Sequence, residues 1–229
     1  MGPPMVVGHV VPVSRPHPAP RPAQLCPAGP VPQFSVSGGV LPVSPRQTIR
    51  RISGIRVTGG ATLDLRRSRV TRIRENPLGL CNNGNGIGVG LSTINFAAGS
   101  VGHATIKNVR VDDYQEDGMF ISGPGSTAEL SENLVTGQGP SLLEEHNGIV
   151  VFDRAVARLT QNTVSGHLCD VPVDCGPDII NQNQAAGIVA FSAGPGTVIS
   201  ENNVFNNDVG MFVTESVACC TISENIVTN

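Results

Sequence analysis

The sequence predicts an all-β fold, a right-handed parallel β-helix solenoid of about six to seven rungs. Three observations carry that prediction. A short pattern recurs along the chain with a nearly constant internal spacing. The recurring apolar positions are Val, Ile and Leu at alternate residues, which is strand periodicity. Finally, aromatic residues are 3% of the chain, Trp is absent and there are 27 glycines, so a core built on bulky side chains is excluded.

Residues 1–46 hold 12 of the 18 prolines, in runs such as Pro16-His17-Pro18-Ala19-Pro20. Proline removes backbone donors and favours extended conformations, so this part reads as an extended or disordered tail. Its later part, around Phe34 to Leu41, is placed to cover the first rung, because a solenoid needs a cap. The solenoid itself is expected over 47–229. The chain stops two residues after the last repeated Val, so a truncated end, or pairing of that rung with another chain, is expected there.

Within 47–229 each repeat has a Gly, two alternating apolar residues, a second apolar strand, and a Val. Gly54-Ile55-Arg56-Val57 leads to Leu65 and Val70. Gly86-Ile87-Gly88-Val89 leads to Ile106 and Val111. Gly118, Gly148, Gly187 and Gly210 open the remaining four, which lead to Val135, Val164, Val204 and Val227. In all six copies a Leu or Ile stands five residues before the Val. Alternation sends every second residue inward, so these positions form columns. A column of small residues runs two positions before the Leu/Ile: Leu63, Ala104, Ala128, Ala157, Thr197 and Cys220. Asn133, Asn162, Asn202 and Asn225 share one place in the tight turn before the third strand. Asn tolerates a left-handed turn conformation, and its amide can bond the Asn above and below. At about 4.8 Å per rung, six rungs make a rod roughly 29 Å long.

The Gly-Ile-x-Val strand, the turn Asn and the Asn-x-Val third strand resemble the pectate-lyase-like superfamily of right-handed parallel β-helix repeats. Val198-Ile199-Ser200-Glu201-Asn202-Asn203-Val204 and Thr221-Ile222-Ser223-Glu224-Asn225-Ile226-Val227 carry the likeness most plainly. The resemblance implies a protein of the extracellular space or cell surface that handles carbohydrate beside its first strands. It does not extend to the catalytic signatures of that superfamily. The Asn-Thr-Asp and Gly-His-Gly motifs of the pectin hydrolases and the Asp-Pro-His of the alginate epimerases are absent, so Asp112-Asp113 stands without the motifs that accompany such a pair in the pectin hydrolases.

Candidate site residues come from the loops before the third and fourth rungs. Counting back from Gly118 and Gly148, Glu116 aligns with His146, Asp117 with Asn147 and Gln115 with Glu145. A carboxylate beside an imidazole is an acid/base pair, which marks Glu116 and His146 as catalytic candidates. Asp117, Glu145 and Asp153 would then contact substrate. Asp112, Asp113, Glu116 and Asp117 together could hold Ca2+, the one cofactor these loops suit. The plainer reading is a solvated acidic edge. Arg154 could clamp a carboxylate or act as a base with Asp153 beside it, although a local ion pair in a turn explains the two as well. The outward first-strand stripe (Arg56, Gly88, Phe120, Val150, Val189 and Phe212) is mostly apolar, which argues against an ordinary catalytic groove and for a covered face.

Cys220 falls in the inward small-residue column and Cys219 is expected to point out. Cys169 and Cys175 bracket a loop and could close it as a disulfide, or join His167 as an incomplete metal set. Net charge is −3 with no basic run after the tail, so nucleic acid is not an expected partner. Apolar stretches are too short to span a membrane, and no standard signal peptide is visible. The expected function is binding or lyase-like processing of an acidic polysaccharide. The alternatives are a noncatalytic structural, surface or adhesion module, and a maturation factor that binds another protein on the apolar stripe.

Overall fold

In a computed structural model the chain is described over residues 34–37, 52–73, 86–91, 101–141, 146–170, 185–214 and 218–228. All regular structure there is strand, paired in parallel into three sheets. Six rungs of three strands stack in sequence order. The first is Ile52–Thr58, Ala61–Arg66 and Arg69–Ile73; the second is Gly86–Leu91, Gly102–Lys107 and Arg110–Tyr114. The third is Asp117–Ser122, Thr127–Ser131 and Leu134–Ser141; the fourth is Asn147–Phe152, Val156–Thr160 and Thr163–Cys169. The fifth is Ala186–Phe191, Thr197–Ser200 and Asn203–Phe205; the sixth is Val209–Thr214, Cys220–Ser223 and Ile226–Thr228. This is a parallel β-helix. Phe34–Ser37, inside the Pro-rich segment, adds one more parallel strand to the first sheet, against Ile55–Thr58. Among the described residues no helix is long and apolar enough to cross a membrane.

The columns expected from the repeat are in register. Leu65, Ile106 and Leu130 pair in turn, as do Leu159, Ile199 and Ile222. Val70, Val111 and Val135 stack in the third sheet, followed by Val164, Val204 and Val227. Each interior Val, Leu or Ile is covered above and below by its own kind. Such burial is worth about 1.5–3 kcal/mol per side chain. In the sixth rung Ile222 and Val227 are exposed, because among the described residues only the fifth rung covers them.

One register differs from the expectation. Gly86 was expected to open the second rung, yet Val89 pairs with both Ile55 and Met119. Gly88 therefore sits level with Gly54 and Gly118, and Gly90 rather than Gly88 takes the outward position between Arg56 and Phe120. The reason is steric. A Cβ on Gly88 would lie 2.6 Å from Val111 Cγ1 and 2.5 Å from the Gly118 carbonyl oxygen. A Cβ on Gly90 would meet nothing closer than 3.5 Å. In the run Gly84-Asn85-Gly86-Ile87-Gly88-Val89-Gly90, spacing alone does not reveal which glycine is the crowded one.

The turn between second and third strands also differs in detail. The four asparagines form the expected ladder. Asn162 Nδ2 donates to Asn202 Oδ1 (2.9 Å) and to the Leu130 carbonyl (2.9 Å), and Asn133 Nδ2 donates to Asn162 Oδ1 (2.9 Å). Each Oδ1 also accepts the backbone N–H of the residue one rung earlier, down to Val109 N on Asn133 Oδ1. The left-handed residue, however, is the one before each Asn: Glu132, Gln161, Glu201 and Glu224, with φ of 56–58°. The Asn is selected for its amide, and a long polar residue carries the backbone cost.

Two stability predictions follow from these contacts. Gly118→Ala places a Cβ 2.6 Å from Val135 Cγ1 and 2.7 Å from the Gly148 carbonyl, so about 3 kcal/mol of stability is lost. Gly60→Ala, with φ of 76° but nothing within 4 Å, costs only about 1 kcal/mol. Urea denaturation of the pair measures the difference. Asn162→Ala removes both ladder contacts and leaves buried donors on Asn133, a loss of roughly 3 kcal/mol by the same assay.

Candidate functional site

The corner where each third strand turns into the next first strand collects the polar residues. Three residues after the repeated Val come Ile73, Tyr114, Gln138, His167 and Asn207. Four of these five point inward, beside the glycine column: Ile73 Cδ1 stands over Gly54, Tyr114 Cζ over Gly118, His167 Cε1 over Gly148 and Asn207 Nδ2 over Gly187. Gln138 is the exception. The strand carries one extra residue between Thr136 and Gly139, a bulge that leaves Gln138 exposed. Its amide is not lost to the fold, since Gln138 Nε2 donates to the Tyr114 carbonyl at 2.7 Å.

The bulge leaves the third strand of this rung without an inward side chain three residues after its Val. Gly137 lines the gap, and a Cβ there would collide with the Gly166 backbone and stand 2.9 Å from the His167 ring. Tyr114, from the second rung, fills the space. Its hydroxyl reaches across the third rung and donates to His167 Nε2 in the fourth. His167 Nδ1 then donates to Asn207 Oδ1 at 2.7 Å, which also accepts the His167 backbone N–H. Asn207 Nδ2 donates to the Phe205 carbonyl at 2.9 Å. Donors and acceptors alternate without conflict when His167 is neutral with its proton on Nδ1. Tyr114 and His167 are fully buried. Burial pushes the Tyr114 hydroxyl well above its usual pKa, reinforced by the charges of Asp117 and Asp112. Burial lowers His167 to about 4, against a smaller raising effect of the Asn207 hydrogen bond.

Glu116, Asp117 and His146 lie at the same corner. Asn147 pairs with Asp117, so His146 follows Glu116 in the stack as counted from the sequence. The Asn147 N–H donates to the Glu116 carbonyl (2.9 Å) and Asn147 Nδ2 to Asp117 Oδ1 (3.2 Å). All three side chains are buried rather than on an open loop edge: His146 is 1%, Asp117 4% and Glu116 5% exposed. His146 sits edge-on to both other rings, with centroids 5.3 Å from Tyr114 and 5.3 Å from His167. Glu145 lies outside the described residues.

The remaining candidates are elsewhere. Asp112 pairs with Arg69 of the neighbouring strand (3.0 Å) and with Arg110 of its own strand. Burial alone would raise its pKa. Hydrogen bonds from Thr71, Arg69 and Arg110, with the Arg110 charge, overcome that and hold it below the usual carboxylate range. Asp113 is half-buried with φ of 56°. Asp153 and Arg154 are both left-handed and form a 3.5 Å ion pair at the far end of the strand Asn147–Phe152. That strand separates Arg154 from His146 by roughly 20 Å. Glu116 and His146 are thus brought together and Arg154 is not. Among the described residues no three His, Cys, Asp or Glu side chains converge on a metal-sized site.

The outward first-sheet positions Phe120 and Val150 pack with Ile87 as a small buried cluster, flanked by Phe152 and Val189. Phe152 packs against Phe191 with the rings tilted by 38° and 5.4 Å between centroids. Cys219 is buried and disulfide-bonded to Cys220 rather than pointing outward. Cys169 is also disulfide-bonded, and its expected partner Cys175 lies outside the described residues.

The buried His167 makes stability pH-dependent. The unfolded chain takes up the proton near pH 6.5, the folded chain only near 4. The stabilisation is therefore complete above pH 6.5 and is lost as pH falls through that window, by about 3 kcal/mol in all. Chemical denaturation between pH 7.5 and 4 checks this, and in His167→Gln the slope assigned to this group disappears. Comparison of the chain with protein-family models, with curated proteins and with solved structures returns no match.

Proposed function

We propose that this chain is a noncatalytic solenoid module, a rod that presents surfaces rather than turning over a substrate. The observation that carries this reading is the burial of its reactive side chains. A general acid or base must reach the proton it moves. Here Glu116, Asp117, His146, Tyr114 and His167 occupy the interior of one corner, and Tyr114 and His167 are tied into a chain of hydrogen bonds that ends on Asn207 and the backbone.

A second reading rests on register. Glu116 and His146 stand on consecutive rungs at one corner, which fits a lyase-like, extracellular protein of the pectate-lyase-like superfamily acting on an acidic polysaccharide, with Ca2+ at the acidic loops.

The experiment is a screen of the folded chain against polygalacturonate, alginate and hyaluronan, with and without Ca2+, following unsaturated-product absorbance and binding. The expected outcome is no product, with Glu116→Gln and His146→Gln changing stability alone. Calcium-dependent product that is lost in those two variants would overturn the noncatalytic reading and establish the second.

A further inference from the structure

We propose that Cys219 and Cys220 form a thiol–disulfide exchange site that latches the sixth rung. Thr197 pairs with Cys220, which places Gly196 level with Cys219; the same step in lower rungs is held by Val156 and Thr127. This step precedes the inward small-residue column, so alternation turns it outward. Thr127 and Gly196 are accordingly exposed and Val156 is half-buried. Cys219 breaks the pattern: it is 4% exposed and belongs to the main core cluster. Its bond to Cys220 accounts for the break, because it ties an outward-stepping side chain to the inward column. Ala218, the residue before it, is left-handed with φ of 53°, and the Gly196 N–H donates to the Cys219 carbonyl at 3.1 Å, holding that residue against the fifth rung.

Access is through Cys220. It is half-buried, in the last described rung of its column. A dithiol reductant would attack Cys220 Sγ as its thiolate, forming a mixed disulfide and expelling Cys219 as a thiolate that takes up a proton. The second thiol of the reductant then attacks the mixed disulfide and releases Cys220. The protein gains two electrons and two protons, and the reductant leaves as its own disulfide. Freed from Cys220, the Cys219 side chain can take the outward direction of Thr127, and the start of the strand Cys220–Ser223 loses its tether to the core.

The test uses the full air-oxidised chain. Peptide mass mapping is expected to find the peptide spanning Cys219 and Cys220 two hydrogens lighter than its dithiol. Mild dithiothreitol followed by iodoacetamide, with the protein still folded, should add two carbamidomethyl groups to it. Amide exchange in Cys220–Ser223 should accelerate about tenfold on reduction in the wild type and not respond in Cys219→Ser/Cys220→Ser. Two free thiols before reduction, linkage of either cysteine elsewhere, or labelling only after denaturation would each overturn the proposal. So would unchanged exchange in the reduced wild type. If the double variant does not fold, the wild-type labelling decides alone.

Discussion

The coil closes because a glycine of each first strand faces a valine of the third strand in the same rung. Gly54 meets Val70, Gly88 meets Val111, and the pairing continues through Gly118 with Val135, Gly148 with Val164, Gly187 with Val204 and Gly210 with Val227. A Cβ would strike both that valine and, in five of these rungs, the carbonyl of the next glycine in the column. The first and third sheets therefore approach as closely as backbone and one branched side chain allow. Glycine is needed here for space rather than for an unusual backbone angle. Everything else in the rung is sized to this approach: long apolar residues on the first two strands, small ones beside them, and a corner residue that fits over the glycine.

That constraint explains what was readable in the sequence. Columns repeat because each rung must present the same shape to the next, so the Leu/Ile, Val and Asn positions announced themselves. Gly88 was missed in favour of Gly86 because four alternate glycines offer the same letter at each candidate place, and only the contact with Val111 tells them apart. The left-handed residues were missed for a different reason. Glu132, Gln161, Glu201 and Glu224 are poor candidates by propensity, and the asparagine beside each is a good one. The asparagine is fixed instead by its hydrogen bonds to the rungs on either side, and the neighbour adopts the conformation that aims it inward.

The candidate site was half legible. Counting back from two glycines placed Glu116 level with His146 and Asp117 level with Asn147, and the latter pairing is present. Counting could not say that Glu116, Asp117 and His146 are buried, because strand alternation fails at corners. It also passed over Tyr114 and Asn207 and took His167 only for an incomplete metal set, although all three stand three residues after a repeated Val. The offset was visible. Its meaning was hidden by chemical variety: Ile, Tyr, Gln, His and Asn share no property a repeat search would recognise.

The variety has one physical origin, the bulge after Thr136. It removes Gln138 from the interior and leaves a gap one rung high. A neutral side chain long enough to cross it, with a polar end, must come from the rung below, and Tyr114 is that side chain. Its hydroxyl then needs an acceptor at the level of the fourth rung, which His167 supplies through Nε2. His167 in turn needs an acceptor for Nδ1–H one rung further, and Asn207 supplies it. In an ordinary solenoid each rung touches only its neighbours. Here one inserted residue obliges the second, fourth and fifth rungs to choose their corner residues together. The polar corner is thus accounted for as the consequence of a backbone irregularity, with each member fixed by the hydrogen-bonding demand of the one before it.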